Sequence, residues 1–274
     1  MFNPDDFMAR LAGPPLLMGI LNVTPDSFSD GGCFNDPEAA AAQAARMVAD
    51  GADILDIGGE STRPGHAPID AATEIDRIRP ALAAAARLAT PVSIDSYKAE
   101  TVRMALAGGA NIVNDVWGLQ RDPELAQVAA DADAPVICNH NRETTEPDID
   151  IVDDVLRFLE RSLEIARKAG IAENRIILDP GFGFGKTFDQ SLELLRRLDA
   201  VASLGFPLLI GLSRKGFIGH YSRQADVRAR LPGTLAANLL AALSGHAAII
   251  RVHDVRPHRE MLDMLSAFGG RAAD

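Results

Sequence analysis

The chain has 274 residues, of which 47% are hydrophobic and 24% charged, with a net charge of -11. This composition suits a globular protein with a substantial core, and its acidic balance argues against a nucleic-acid partner, which needs a basic face. No apolar run approaches the roughly 18 residues of a membrane span, and two cysteines, Cys33 and Cys138, are too few for a zinc cluster or a disulfide framework.

In chain order, the N-terminal MFNPDDFMARLAG is acidic and lacks the basic start and apolar core of a signal peptide, so a cytoplasmic protein is expected. Eight short apolar runs follow: LLMGILN at 16–22, ADILDIGG at 52–59, PVSID at 91–95, NIVND at 111–115, APVICNH at 134–140, RIILDPG at 175–181, PLLIGLS at 207–213 and AIIRVHD at 248–254. Each is continuous rather than alternating, the pattern of strands buried on both faces. Between them lie stretches with helical spacing, among them DPEAAAAQAARMVADG, AATEIDRIRPALAAAARLA, IVDDVLRFLERSLEIARKAG and QSLELLRRLDAVASLG. Gly51, Gly170 and Gly205 stand where helix C-termini favour glycine. Strands alternating with helices argue for a parallel sheet. Eight repeats over this length predict an α/β fold, a (β/α)8 TIM barrel; a doubly wound open sheet is the alternative. No Pro/Gly/Ser-rich linker divides the chain, so residues 1–274 read as one domain.

LDPGFGFGKT, at 178–187, has the composition of a phosphate loop but not its spacing. Counting back from Gly185-Lys186-Thr187, the first glycine should fall at Pro180, which has no N–H to offer. A dinucleotide motif fails as well, because Lys186 occupies its third glycine position. The glycines read instead as a sharp turn after a strand, which leaves Asp179 in need of a role.

The runs finish in residues that an apolar interior would reject: Asn22, Glu60-Ser61-Thr62-Arg63, Asp95, Asn114, His140, Asp179, Lys215, and Arg251 with His253. In such barrels the C-terminal strand ends build the active site, and uncompensated buried charge is costly, so a shared polar pocket is expected. Arg251 and His253 are two apart, as are Ser213 and Lys215, and each pair would face one side of a strand. Asp95, Asn114 and Asp179 suit a ligand edge rich in N–H donors, such as an aminopyrimidine. Arg63, Lys215, Arg251 and His253 suit phosphate oxygens. Asn22 offers a carbonyl oxygen to a hard cation such as Mg²⁺, and Phe184 could line a ligand face. Taken singly, a strand-end Asp is more often a helix cap. His66, His220, His246 and His258 read as surface or satisfied residues, Cys138 and Trp117 as packing, and Asp56 as either core or support from below.

ILNVTPDSFSDGG, GADILDIGGESTRPG, SIDSYKAE, NIVNDV, ILDPGFGFGKT, GLSRKGFIG and RVHDV together resemble the dihydropteroate synthase family, in the family's order, over roughly residues 16 to 265. The resemblance implies a (β/α)8 barrel that joins 6-hydroxymethyl-7,8-dihydropterin pyrophosphate to p-aminobenzoate and releases pyrophosphate, with Mg²⁺ as cofactor and a homodimer as the assembly. It implies that Asp95, Asn114, Asp179 and Lys215 hold the pterin, and that Arg251 covers one ring face and helps grip pyrophosphate. Asn22 and His253 would hold pyrophosphate, with Asn22 near Mg²⁺. Thr62 and Arg63, on a mobile loop, would close over the anions and p-aminobenzoate, and Phe184 and Lys215 would border its pocket. Catalysis would then rest on Asp95, Lys215, Arg251, His253 and Arg63.

Two positions depart from the family pattern. Gly216 stands where many members carry a serine that helps bind p-aminobenzoate. CNHNRE replaces a Met-His-Met type segment, so His140 or Asn141 is expected on the side where a methionine packs against the pterin. The loops TPDSFSDGGCFND and ESTRPGHAPID are expected to be mobile and to close over ligand. Rival readings are an inactive pterin-binding barrel and a methyltetrahydrofolate-dependent methyltransferase domain, which would have no use for ESTRPG.

Overall fold

A computed structural model describes residues 2–24, 37–61 and 67–269. The apolar runs form β1 (Leu16–Asn22), β2 (Ile54–Gly58), β3 (Val92–Asp95), β4 (Ile112–Asp115), β5 (Val136–Asn139), β6 (Ile176–Asp179), β7 (Leu208–Ile210) and β8 (Ala247–Val252). They close into a barrel in chain order, every neighbouring pair parallel and β8 returning to β1. The fold is the (β/α)8 TIM barrel, not the open sheet. β1 spans its whole run, whereas β5, β6 and β7 stop short of theirs, leaving His140, Gly181 and Ser213 in the loops beyond the ladder.

A short helix, α1 (Pro4–Arg10), precedes the barrel. Asn3 caps it by accepting from the Asp5 and Asp6 N–H groups, Pro4 presets its first turn, and the two acids face its positive end. The outer layer comprises α2 (Pro37–Ala49), α3 (Ala71–Ala85), α4 (Ala99–Ala107), α5 (Leu125–Asp131), α6 (Ile151–Ala169), α7 (Phe188–Arg196), α8 (Leu198–Ala202), α9 (Gly216–Ser222), α10 (Leu231–Leu243) and α11 (Val255–Ala267). Helix α6 starts on an Asp150 cap and ends at Gly170, whose φ of 85° is the left-handed turn expected there. QSLELLRRLDAVASLG does not form one helix. A capping box between Thr187 and Gln190 starts α7 earlier, and Arg197, at φ -114° and ψ 39°, separates α7 from α8.

Strand alternation divides the core in two. Outward residues pack under the helices in one large cluster. Inward residues Met18, Ile54, Ile112, Ile137, Ile177, Leu209 and Ile249 fill the N-terminal half of the lumen, and Phe7 and Leu11 from the α1 segment close it from below. Arg175, just before β6, holds α1 in place through Asp5 at 2.7 Å and also pairs with Asp133.

Candidate active site

Two residues beyond the apolar layer the lumen becomes polar. Asp56, Asn114, Asn139, Asp179 and Arg251 follow Ile54, Ile112, Ile137, Ile177 and Ile249 by two positions, so they share the inward face. Asn22, Gly58, Asp95 and Asn114 are in register across β1 to β4, and Asn139 pairs with Asp179.

Arg251 spans this layer. Its Nε donates to Asp56 Oδ2 and its Nη2 to Asp95 Oδ2, each at 2.6 Å. Asn114 Nδ2 lies 3.3 Å from both Asp56 oxygens. One guanidinium therefore serves two carboxylates, and one negative charge is left over when all three groups are ionised. Burial pushes the Asp95 carboxyl up to about 7 against the opposing pull of Arg251. Burial also works against the Arg251 charge, but Asp56 and Asp95 outweigh it and raise its pKa. Asp95 Oδ1 is buried without a hydrogen-bond partner. An acceptor in that state is set to receive a donor from a ligand.

Across the lumen, Asp179 Oδ1 accepts the Gly181 N–H at 2.7 Å. Burial raises the Asp179 carboxyl to about 6, with the Gly181 bond and then Lys215 pulling the other way. Burial also lowers the Lys215 ammonium to about 8, while Asp179 supports its charge. Lys215 Nζ stands 4.1 Å over the Phe184 ring, a cation–π contact.

His253 lies just past β8. Ser213 Oγ is 2.9 Å from its Nδ1 and accepts its backbone N–H at 3.2 Å. This contact fixes the orientation of the ring, with Nε2 on the side away from Ser213. A bidentate Arg214–Asp254 pair braces the loops on either side of this contact. Ser213 and Lys215 do not share a strand face as their spacing suggested. β7 ends at Ile210, so Ser213 turns to His253 while Lys215 turns to Phe184.

The expected residues Asn22, Asp95, Asn114, Asp179, Phe184, Lys215, Arg251 and His253 thus gather at the C-terminal end of the barrel. Thr62 and Arg63 lie outside the described residues, as does most of the two loops expected to close. Glu60, first residue of ESTRPG, faces away from the lumen: it binds Lys98 at 2.5 Å and the Tyr97 hydroxyl at 2.9 Å. His140 does not line the pocket either. It is fully buried, with Nε2 3.1 Å from Asp154 and its ring 4.8 Å from that of Phe158. Asn141 accepts the Arg142 N–H. The inward residue of that segment is Asn139, and its spacing of two from Ile137 is the sequence signal for it. At Gly216, a Cβ would stand 3.2 Å from the Phe188 ring, so Phe188 borders the space where a serine side chain would begin.

A family described as pterin binding enzyme matches residues 18–253. A dihydropteroate synthase from Clostridium beijerinckii is 44% identical over 240 residues, 87% of this chain and 88% of that protein. The chain belongs to the dihydropteroate synthase family. A dihydropteroate synthase structure from Xanthomonas albilineans, solved with 4-aminobenzoic acid, matches at a TM-score of 0.91 and 41% identity, covering 95% of each chain. A dihydropteroate synthase structure from Clostridium difficile in the presence of pteroic acid matches at 0.88 and 44% identity, covering 93% of this chain and 97% of that one. The dihydropteroate synthases are transferases of folate biosynthesis, and these relatives favour that reading over the methyltransferase and inactive-barrel alternatives.

Proposed function

We propose that this chain condenses 6-hydroxymethyl-7,8-dihydropterin pyrophosphate with p-aminobenzoate to 7,8-dihydropteroate, releasing pyrophosphate. The observation that carries the reading is the Asp56–Arg251–Asp95 bridge, with Asp95 Oδ1 unpartnered in a layer that also holds Asn114 and Asp179. A pterin edge carries N–H donors that match these acceptors, and its binding would offset the surplus negative charge of the layer.

In the proposed mechanism the C–O bond of the CH₂–O–phosphate breaks and its electron pair leaves with pyrophosphate. The resulting cation delocalises into the dihydropterin ring, where Asp95 and Asp179 stabilise it. The arylamine nitrogen then bonds to the CH₂ and gives a proton to water. An arylamine is already unprotonated at neutral pH, so no general base is assigned. Catalysis is then mainly fixed charge aimed at developing charge. Arg63, Arg251 and His253 would bind the departing pyrophosphate, Thr62 would help close the site, and Lys215 with Phe184 would border p-aminobenzoate. Sulfonamides, as analogues of p-aminobenzoate, would compete there.

The donor set also suits Mg²⁺. Asn22 Oδ1 and Asp95 Oδ2 each lie 3.5 Å from where a Cβ of Gly58 would stand, so the missing side chain keeps a gap between two hard oxygens. No cluster of three or more His, Cys, Asp or Glu fit for a metal occurs among the described residues. Asn22 and the substrate's own oxygens would hold the ion. When bound it would neutralise charge on the pyrophosphate.

A homodimer belongs to the same proposal. Leu240 and Leu243 on α10, and Met264 and Phe268 at the end of α11, are between 59% and 88% exposed. The two helices are neighbours, and a partner would cover this apolar face. A cytoplasmic setting is proposed with it. The deciding assay follows pyrophosphate release and dihydropteroate formation with each substrate omitted in turn and with a sulfonamide as competitor. Release that does not depend on p-aminobenzoate, or that yields no dihydropteroate, overturns the reading.

A further inference from the structure

We propose that Lys186 is a positioning residue for the pterin end of the site, acting through the 180–187 loop that it ties to His140 and Asp154. The proposal rests on the reaction proposed above. The loop presents two site features on its lumen side, the Gly181 N–H bound to Asp179 Oδ1 and the Phe184 ring under Lys215. Lys186 grips the same loop from behind. Its Nζ donates to the Gly181 carbonyl at 2.6 Å and lies 3.3 Å from the Phe184 carbonyl. Gly181 is thus held at both ends, its carbonyl by Lys186 and its N–H by Asp179.

The third contact of Nζ is His140 Nδ1 at 2.6 Å. His140 Nε2 faces Asp154 Oδ2, which also accepts from Arg142 Nη1 at 3.0 Å. A carboxylate only accepts, so Nε2 carries the ring proton, Nδ1 is the acceptor and Lys186 donates. Burial depresses His140 to about 4, which keeps the ring neutral and the direction of the chain fixed. The three acceptors match the three N–H bonds of an ammonium, although burial strongly opposes its charge. The anchor is rigid because backbone meets backbone. A Cβ on Gly181 would stand 1.8 Å from the His140 carbonyl oxygen, and one on Gly185 would stand 2.7 Å from the Arg142 carbonyl oxygen. The charged groups around Lys186 are Asp179 on β6, Lys215 after β7, Arg142 after β5 and Asp154 on α6. Asp179 itself also feels Arg251 on β8.

The test compares Lys186→Met, which keeps length and removes the donors, with wild type. Lys186 favours the ionised form of Asp179. Its loss should raise KM for the pterin substrate about tenfold or more and move the acid limb of kcat/KM to higher pH by about half a unit. That shift should vanish when Asp179→Asn is already present, an outcome that a general loss of stability would not produce. His140→Leu should reproduce the defect, and His140→Asn, which keeps an acceptor near the Nδ1 position, should restore part of it. If Lys186→Met does not fold, the two His140 variants carry the same comparison. Hydrogen exchange at the Gly181 and Phe184 amides reads the tie without substrate. Faster exchange in a folded Lys186→Met supports it, even if the wild type makes no dihydropteroate. Unchanged exchange, or an unmoved acid limb with unchanged pterin KM in an active wild type, overturns it.

Discussion

The two halves of the lumen are built from the same strands and differ by a step of two residues. Below, Ile54, Ile112, Ile137, Ile177 and Ile249 form an apolar layer closed by Phe7 and Leu11. Above, Asp56, Asn114, Asn139, Asp179 and Arg251 form a layer crossed by charge-assisted hydrogen bonds. The lower layer is stable on its own terms, since it removes hydrocarbon from water. The upper layer holds fewer cations than its carboxylates need and would be relieved by a ligand bearing N–H donors. Stability and chemistry are thus separated by about 7 Å along each strand, the rise of two residues.

The sharpest way to break this comparison is Arg251→Met. It leaves Asp56 and Asp95 buried without their cation, and it should cost about 3–5 kcal/mol of stability, as lost buried ion-pair partners do. Dihydropteroate synthesis should fall by about a thousandfold, as the loss of a fixed charge at the reacting centre does, measured beside denaturant unfolding. A variant with near wild-type turnover would remove the upper layer from the mechanism. Next, Ile137→Ala in the lower layer should cost about 2–5 kcal/mol by leaving a cavity, with kcat and both KM values near wild type well below the melting temperature. A large loss of kcat with little loss of stability would show that the halves are not separable.

Asp95→Asn should lower kcat by about ten- to a hundredfold, and more than it weakens pterin binding, because the charge interaction grows in the transition state. A pure binding loss with kcat intact speaks against the cation mechanism. The smallest expected effect is one of pH. Asp95 titrates near 7 in the folded chain, above its ordinary value of 3.8, so the folded state holds this proton more tightly than the unfolded state. The stabilisation is complete below pH 3.8 and is lost as pH rises through about 7. Unfolding of wild type and Asp95→Asn compared from pH 5 to 8 should therefore show the difference moving in the variant's favour as pH rises, then levelling off. A difference independent of pH would mean that Asp95 is not raised.

The strands were legible because burial on both faces leaves continuous Ile, Val and Leu runs. Most of the site was legible because Asp95, Asn114, Asp179 and Arg251 interrupt or end those runs at equivalent heights. α1 was not: its seven residues include one buried side chain, Phe7, which the barrel floor covers from residues far along the chain. The break at Arg197 carries no Gly or Pro to announce it. Asn139 could have been placed by counting two from Ile137, whereas the histidine beside it drew attention to the wrong face. Lys186 has no signal in the sequence, because its partner His140 is brought to it only by β5 lying next to β6.

The Arg251 bridge has a consequence for how the chain comes of age. Its two carboxylate partners lie 195 and 156 residues upstream. No folding intermediate that lacks the last strand can hold Asp56 and Asp95 together this way. Binding competence should consequently emerge at a single moment, when β8 docks between β7 and β1, and a chain halted before that strand would carry most of the ligand-reading side chains yet recognise nothing.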